Sequence, residues 1–221
     1  MVNAIDYYSS NVPPGEYFSW WNTLNKQYLP VLRMIEMLKK QLAHDAPFVP
    51  NTLVDLGCGP GTSFPIMAKE FPFQKIFAID AAPPMLRYLE EHRMKHPFEL
   101  SSRLCDIENQ PFPIDAHSID IAMSCSTIGY IKNIEHVFHE VSRILKPLGF
   151  WTFDCCLHTK SFAELEDKNN TPLTYLHSFK LLKRVSRAHG FKIVRHVRMG
   201  DGIFNNQTPF TQSVLLFQKE Q

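Results

Sequence analysis

The sequence predicts an α/β fold: a doubly wound, mostly parallel seven-stranded sheet with an antiparallel last strand pair, helices on both faces and a helical N-terminal cap. Short apolar runs after Pro50 alternate with stretches of helical periodicity. This alternation is typical of parallel strands joined by right-handed crossovers. Near the C-terminus two strand-like runs follow each other without a helix between them, so they must be antiparallel neighbours.

Length and composition fit one globular domain. The chain has 221 residues, of which 44% are hydrophobic and 20% are charged, which is enough to bury a core. No repeat or flexible linker divides it. We therefore expect a single domain over 1–221, with a helical cap over 1–50 and the α/β core over 51–221. The net charge of +1 disfavours nucleic-acid binding through the phosphate backbone.

The termini and cysteines predict a cytoplasmic protein. Residues 1–6 lack the basic start and apolar stretch of a secretory leader, and no apolar run approaches the ~20 residues of a membrane span. The five cysteines are an odd number without framework spacing, and Cys155 and Cys156 are adjacent. This pattern fits reduced thiols.

The first fifty residues predict helices. Val31, Ile35, Leu38 and Leu42 recur at the spacing of one face of an amphipathic helix. An aromatic cluster precedes this helix and could either line a pocket or pack the cap on the domain. Its members are Tyr17, Phe18, Trp20, Trp21 and Tyr28.

Five apolar runs predict the parallel strands: Thr52–Leu56, Lys75–Ile79, Ser102–Cys105, Ile119–Ser124 and Gly149–Phe153. One intervening helix is expected over Met85–Leu89, opened by Pro83-Pro84. Another is expected over Ile134–Ile144, with Asn133 as its N-cap and Pro147 as its stop.

The tail completes the predicted sheet. A helix is expected around Thr174–His189, ended by Gly190 at the C′ position that favours glycine. The runs Phe191–Arg198 and Ser213–Gln218 then form the antiparallel pair.

A glycine-rich turn after the first strand carries the strongest functional signal. In Val54–Thr62, Gly57 permits a tight turn, Gly59 lets the backbone approach a ligand, and Gly61 allows close helix packing. Its Gly-x-Gly-x-Gly spacing differs from that of a dinucleotide site, and the chain has no Gly-Lys-Ser/Thr of a triphosphate loop. Asp55 opposes a polyanion and suits a ligand that bears an ammonium or sulfonium group.

Acidic residues follow the next two strands. Asp80 comes about twenty residues after the glycines, where an acid can accept both ribose hydroxyls; as an alternative it caps the helix opened by Pro83. Asp106, followed by Ile107, could contact a ligand or form a turn.

These motifs resemble those of the class I S-adenosylmethionine (SAM)-dependent methyltransferases, particularly the small-molecule, type 11/25-like branch. The resemblance covers Leu53 to Phe153 by motif and the antiparallel tail by strand order. It implies that SAM is the cofactor and S-adenosylhomocysteine (SAH) the product. The residues implied to bind the methionine part of SAM are Asp55, Gly57, Cys58, Gly59 and Gly61.

The resemblance places the rest of the cofactor at the following strand ends. Asp80, Ala81 and Met85 would contact the ribose and adenine, and Asp106 and Ile107 the adenine ring.

The end of the fourth strand, through Ser124 and Cys125, would lie under the sulfonium. Two positions depart from the family pattern. Ala82 stands where a serine is frequent, so a hydroxyl contact is lost, and Leu148 replaces a glycine of an architectural turn.

No residue is assigned as catalytic, because alignment supplies most of the acceleration of an in-line methyl transfer. His136 and His139 do not form a metal pattern, and we expect no metal. His158 is the histidine nearest the ligand edge and could act as a base, while Tyr130 could instead pack a helix. The candidate acceptor contacts are Tyr17, Trp20, Trp21, Tyr130 and His158.

The sequence thus predicts an enzyme that moves a methyl group from SAM to an O, N or S atom of a small-molecule acceptor. No motif identifies that acceptor or the oligomeric state. The motifs of amino-methylating and cytosine-C5 DNA enzymes are missing, so no nucleic-acid partner is expected. A SAM- or SAH-binding module without turnover and a protein or peptide methyltransferase are the alternatives. Asp55 and the glycine spacing disfavour a nicotinamide enzyme.

Overall fold

The computed structural model describes residues 3–23, 30–43, 48–92, 98–158, 163–165, 172–204 and 208–221. The helices are α1 (Ala4–Ser10), α2 (Pro14–Thr23), α3 (Pro30–Leu42), α4 (Phe64–Glu70), α5 (Pro83–Glu91), α6 (Ile134–Ile144) and α7 (Phe179–Ala188). The strands are β1 (Thr52–Leu56), β2 (Lys75–Asp80), β3 (Glu99–Leu104), β4 (Ile119–Ser124), β5 (Leu145–His158), β6 (Ala163–Leu165), β7 (Thr174–Ser178), β8 (Phe191–Phe204) and β9 (Thr208–Lys219).

The strands of the described segments form one sheet with a parallel centre. Its order is β3-β2-β1-β4-β5-β7-β6, and the first five of these strands are parallel. β9 pairs antiparallel with the other edge of β5, and β8 pairs antiparallel with β9. This arrangement confirms the predicted parallel sheet closed by an antiparallel pair.

The tail contains a strand where the sequence predicts a helix. The helix expected around Thr174–His189 begins only at Phe179, because residues 174–178 form β7, which pairs with β6 and with the end of β5. Ser178 then caps α7 by accepting the Leu181 N–H, and Gly190 follows with the predicted left-handed φ of 72°. The described sheet therefore has nine strands, not seven.

Two other boundaries differ from the sequence prediction. β3 begins three residues earlier than expected and ends before Cys105. Pro147 lies inside β5, which starts directly after α6 and runs to His158. The predicted cap of α6 is confirmed, since the Asn133 side chain accepts the His136 N–H.

Helices cover both faces of the sheet, as predicted. On one face Phe138 of α6 packs edge-on against Trp151, with ring centroids 4.7 Å apart. On the other face α3 and α4 bury Met34, Leu38 and Phe64. None of the helices within the described ranges is long and apolar enough to cross a membrane.

The first fifty residues contribute both to the core and to the ligand edge. α3 is a core helix, because Val31, Met34, Ile35 and Leu38 are buried against the sheet. α1 and α2 instead contact α5 and contribute residues to a cavity at the carboxyl ends of the strands.

A buried carboxylate joins the starts of the central strands. Asp120 Oδ2 accepts the backbone N–H groups of Asn51 and Thr52 at 2.9 Å and the Thr52 hydroxyl at 3.0 Å, and its Oδ1 accepts Lys146 Nζ at 2.7 Å. Burial raises the pKa of Asp120, but Lys146 and these hydrogen bonds more than offset it and hold the pKa below its ordinary value. The cluster therefore ties β1, β4 and β5 together.

Replacing Asp120 with Asn should destabilise the protein, because the amide cannot act as a charged acceptor and its NH₂ group would meet Lys146. We expect a loss of about 1.5–3 kcal/mol in the free energy of unfolding at neutral pH, measured by urea denaturation. A depressed carboxyl pKa contributes stability above the unfolded value of about 3.9 that is lost as the pH falls. The difference between wild type and variant should therefore shrink below about pH 4. A difference that is constant from pH 3 to 7 would contradict this account.

Candidate active site

A cavity of about 260 Å³ lies at the carboxyl edge of the parallel strands, where ligands of open α/β sheets bind. The turn after β1 and the residues following β2, β3 and β4 form its base. Residues of α1, α2 and the segment leading into β7 form its sides.

The turn after β1 takes a backbone shape that favours glycine. Gly57 and Gly61 have φ of 76° and 81°, a region that costs other residues free energy. A Cβ on Gly57 would overlap the Thr127 side chain, and one on Gly61 would lie 2.6 Å from Leu89 Cδ1. Gly59, with φ of 53°, faces the cavity beneath a tyrosine ring.

Asp80 organises the same turn. Its Oδ2 accepts the Gly59 N–H at 2.7 Å and its Oδ1 accepts the Ala82 N–H at 2.8 Å. Burial raises the pKa of Asp80, against the opposing effect of these backbone donors. The two hypotheses for Asp80, a ligand-binding acid and a helix cap, are therefore compatible, because Asp80 supports the start of α5 and also lines the cavity.

Asp55 lies behind the turn and is 2% exposed. Its Oδ2 accepts the Ser63 hydroxyl at 2.7 Å, whereas its Oδ1 has no hydrogen-bond partner among the described residues. Burial raises the pKa of Asp55 to about 7, opposed by Ser63 and assisted by the charge of Asp80. A cation bound nearby would stabilise this carboxylate, so the site favours a positively charged ligand group.

The turn after β3 is built by its own side chains. Asp106 Oδ1 accepts the Glu108 N–H at 3.0 Å and its Oδ2 accepts Asn109 Nδ2 at 2.8 Å. Glu108 Oε1 in turn accepts the backbone N–H groups of Lys132 and Asn133 at 3.1 and 2.9 Å. Asp106 is thus a turn residue that also lines the cavity.

The loop after β4 is held from behind by Asp154. Asp154 Oδ1 accepts the N–H of Ser126, which has a φ of 56°, at 2.6 Å. Thr127 Oγ1 lies 3.2 Å from the carbonyl oxygens of Gly57 and Cys125. Burial raises the pKa of Asp154 to about 6 and that of the Cys125 thiol well above its ordinary value. The thiol is therefore protonated and not a nucleophile.

Three tyrosines close over the cavity. The Tyr8 hydroxyl of α1 donates to the Tyr130 hydroxyl at 3.0 Å, and the Tyr8 ring packs edge-on against Tyr130 and Tyr17 at centroid distances of 5.7 and 6.0 Å. Burial and the neighbouring tyrosines raise the pKa of Tyr8. Burial also raises the pKa of Tyr130, against the opposing effect of the hydrogen bond from Tyr8. Both hydroxyls therefore stay neutral at physiological pH.

Most predicted site residues line this cavity, but four predicted cofactor contacts do not: Asp55, described above, and three others. Cys58 is turned into the core and donates to the Gly59 carbonyl at 3.4 Å. Gly61 packs on α5, and Ser124 is fully buried within β4. The predicted residues in the lining are Tyr17, Gly57, Gly59, Asp80, Ala81, Met85, Asp106, Ile107, Cys125 and Tyr130.

The remaining acceptor candidates are not placed in the lining. His158 is half-buried at the end of β5, where it pairs with Ser178 and Phe210. Trp20 and Trp21 belong to α2, but their side chains lie outside the described residues, as does all of Tyr28.

Sequence reasoning missed lining residues such as Tyr8, Thr127 and Glu108, as well as Asp154. The signal that identified Asp80, an acid near the end of a parallel strand, was also available for Asp154. The other three have no local signature. Within the described ranges, no cluster of three or more His, Cys, Asp and Glu side chains is placed to hold a metal ion.

Comparison with known proteins identifies relatives of this chain. The family model of a methyltransferase domain matches residues 54–168, just over half of the chain. The malonyl-[acyl-carrier protein] O-methyltransferase of Methylococcus capsulatus is 27% identical over 168 residues, covering 72% of this chain and 58% of that protein. Matches to this and two further bacterial proteins of the same name span 36–58% of their lengths. The chain thus spans about half the length of these relatives.

Two solved structures share the fold. Phosphoethanolamine N-methyltransferase 2 of Haemonchus contortus, solved with S-adenosyl-L-methionine, has a TM-score of 0.73 and 16% identity, covering 100% of this chain and 61% of that chain. A SAM-dependent methyltransferase of Clostridium acetobutylicum has a TM-score of 0.67 and 13% identity, covering 94% and 99%. At these identities the likeness concerns the fold.

Replacing Gly57 with Ala should lower the free energy of unfolding by more than the strain of a left-handed backbone accounts for. Gly190→Ala is the matched control, since Gly190 has a similar φ of 72° and no neighbour within 4 Å of an added Cβ. We expect the control to lose roughly 1–2 kcal/mol of unfolding free energy. Gly57→Ala should lose about 1–3 kcal/mol more, because its Cβ overlaps Thr127. Urea denaturation measures both, and equal losses would show that the contact with Thr127 is relieved without cost.

Proposed function

Because this chain belongs to the SAM-dependent methyltransferase family, we propose that it binds SAM in the cavity and transfers a methyl group to an O, N or S atom of a small-molecule acceptor. Bound SAM supplies an electrophilic methyl group on a positively charged sulfur, which leaves as a neutral thioether. The chemistry therefore needs alignment more than acid catalysis.

The single observation that carries this proposal is the carboxylate of Asp80. A carboxylate has about four lone-pair sites, and the N–H groups of Gly59 and Ala82 use one on each oxygen. Asp80 also lines the cavity, so its carboxylate can accept hydroxyl groups of a ligand there, such as those of a ribose. Gly59 also presents backbone to the cavity without a side chain.

Asp55 supports the same ligand. Its buried, unpartnered Oδ1 and raised pKa favour an ammonium or sulfonium group nearby. A dinucleotide would instead bring its pyrophosphate towards Asp55 and Asp80, while no lysine or arginine is found among the described lining residues.

The tyrosines would exclude water and position the acceptor. Tyr8, Tyr17 and Tyr130 cover the cavity from three different elements, and the hydrogen bond between Tyr8 and Tyr130 joins the N-terminal helices to the loop after β4. A closed, dry site holds the acceptor in line with the methyl group. The Tyr8 hydroxyl already donates its hydrogen bond to Tyr130, so the Tyr130 hydroxyl is the one that can donate a hydrogen bond to the acceptor. Both hydroxyls are neutral phenols, so neither can take the acceptor's proton.

We further propose that residues 1–221 act as one domain in a reducing compartment such as the cytoplasm. The five cysteines are unpaired, which fits that setting.

Calorimetry should detect SAH binding, with Kd in the micromolar range or tighter, about 8 kcal/mol or more, and no appreciable binding of NAD or ATP. The physical reason is the pair of carboxylates, Asp55 and Asp80, in a site without a described counterion for phosphates. Binding of NAD but not SAH would overturn the proposed function. SAH binding without transfer from radiolabelled SAM to any small molecule would favour a binding module or a peptide acceptor.

Replacing Asp80 with Ala should weaken SAH binding while the protein stays folded. Losing a charged acceptor costs about 1.5–3 kcal/mol, or roughly 10- to 100-fold in Kd. Calorimetry measures Kd, and circular dichroism checks the fold. Asp115→Ala, at an exposed acid outside the cavity lining, is the control and should bind SAH like wild type. If the folded Asp80→Ala variant binds SAH with an unchanged Kd, Asp80 serves only to cap α5.

A further inference from the structure

The acceptor end of the cavity lies between the loop after β4 and the N-terminal helices. Ser126 and Tyr130 come from the loop, and Tyr8 and Tyr17 come from α1 and α2. Among the described residues that line the whole cavity there is no lysine, arginine or histidine. An anionic acceptor entering this space would lose its hydration and meet no counterion there, which is unfavourable.

Asp154 places an unbalanced carboxylate directly behind this end. It is 6% exposed, and its Oδ1 accepts the Ser126 N–H at 2.6 Å. Within the part of the chain that the structure describes, the titratable groups that interact with its charge are thiols and a phenol, not cations: Cys125, Cys155, Cys156 and Tyr130. The raised pKa of this carboxyl, about 6, follows from its burial. A cation on the cavity side of Ser126 would offset the free-energy cost of burying the ionised carboxylate.

The tyrosine rings favour the same charge. Rings attract cations through their faces at distances up to about 6 Å. The Tyr8 ring lies 6.0 Å from the Tyr17 ring and 5.7 Å from the Tyr130 ring, measured between centroids, and all three residues line this end of the cavity. A cation already lies over one ring of the cavity lining, since Lys132 Nζ is 5.9 Å from the centroid of the Tyr175 ring.

We propose that the acceptor is an amine that is protonated in solution, and that Asp154 with the rings of Tyr8 and Tyr130 selects it over carboxylate- and phosphate-bearing acceptors. This inference rests on the proposed function. It distinguishes this chain from the malonyl-[acyl-carrier protein] O-methyltransferases, since a malonyl group carries a carboxylate.

The transfer then balances without a base from the protein. The ammonium group gives its proton to bulk water while the cavity is still open to solvent, and the nitrogen lone pair then forms a bond to the methyl carbon. The carbon–sulfur bond breaks with its electron pair remaining on sulfur. Asp154 stabilises the positive charge that the nitrogen carries on entry and again after methylation. Asp154 lies behind Ser126 and does not line the cavity, so its charge acts on the acceptor without direct contact. It is therefore a specificity-determining residue and not a catalytic one.

The test compares two probes of matched shape, phenethylamine and 3-phenylpropionate, titrated into the SAH-saturated protein of residues 1–221. We expect phenethylamine to bind at least about tenfold more tightly, because the probes differ by two units of charge next to a buried carboxylate, where the effective dielectric constant is about 20. Equal or tighter binding of 3-phenylpropionate would overturn the inference, and so would undetectable binding of phenethylamine at millimolar concentration. Failure of SAH itself to bind would instead contradict the proposed function.

Asp154→Asn tests the charge separately from the hydrogen bond, because the amide oxygen can still accept the Ser126 N–H. The variant should bind phenethylamine about fivefold or more weakly and SAH with unchanged affinity. Glu99→Gln, at an exposed carboxylate paired with Lys75 at the opposite edge of the sheet, is the matched control and should not alter either affinity. Unchanged phenethylamine binding in Asp154→Asn would overturn the role of Asp154.

Two further measurements keep the inference testable if Asp154→Asn is poorly folded. At pH 6 a bound cation should displace a proton from Asp154, so the heat of phenethylamine binding to the wild type should depend on the ionisation enthalpy of the buffer.

Tyr8→Leu should weaken phenethylamine binding and Tyr8→Phe should not, because phenylalanine retains the ring face and leucine does not. A buffer-independent heat, or equal effects of the two Tyr8 variants, would contradict the proposal.

Discussion

The hydrogen bond from the Gly59 N–H to Asp80 is the constraint on which the site depends. It joins the turn after β1 to the end of β2, and the Gly57 and Cys58 N–H groups reinforce it by donating to the Ile79 carbonyl at 2.8 and 2.9 Å. The turn must take left-handed φ values to make these bonds, so glycine is needed there. The cavity base, the start of α5 and a charged acceptor for a ligand all follow from this junction.

Among the described residues, two buried carboxylates at this edge of the sheet have no cationic partner. Asp55 and Asp154 are both buried carboxylates with raised pKa values, whereas Asp120, at the opposite edge, is paired with Lys146 and has a lowered one. The paired acid stabilises the fold, and the unpaired acids cost stability in the ionised form. Such uncompensated groups are typical of positions where a ligand supplies the missing charge.

The residues proposed to select an acceptor lie only partly within the region that defines the family. The methyltransferase domain match begins at residue 54 and ends at residue 168. It includes the glycine turn, Asp80 and Asp106, but Tyr8, Tyr17 and Tyr175 of the cavity lining lie outside it. Membership of the family therefore supports the methyl donor, while the proposed acceptor selection combines Tyr130 and Asp154 of the matched region with Tyr8 outside it.

Local sequence patterns determined the parallel strands, the glycine turn and the acids after β2 and β3, because periodicity, turn chemistry and spacing are properties of neighbouring residues. The tertiary structure alone decided that residues 174–178 form a strand and that α3 belongs to the core, since each depends on pairing or packing with distant elements. The bond from Tyr8 to Tyr130 spans 122 positions, and that from Ser126 to Asp154 spans 28. Contacts between residues so far apart leave no periodic trace in the sequence, and they form only when the sheet brings its strand ends to one edge.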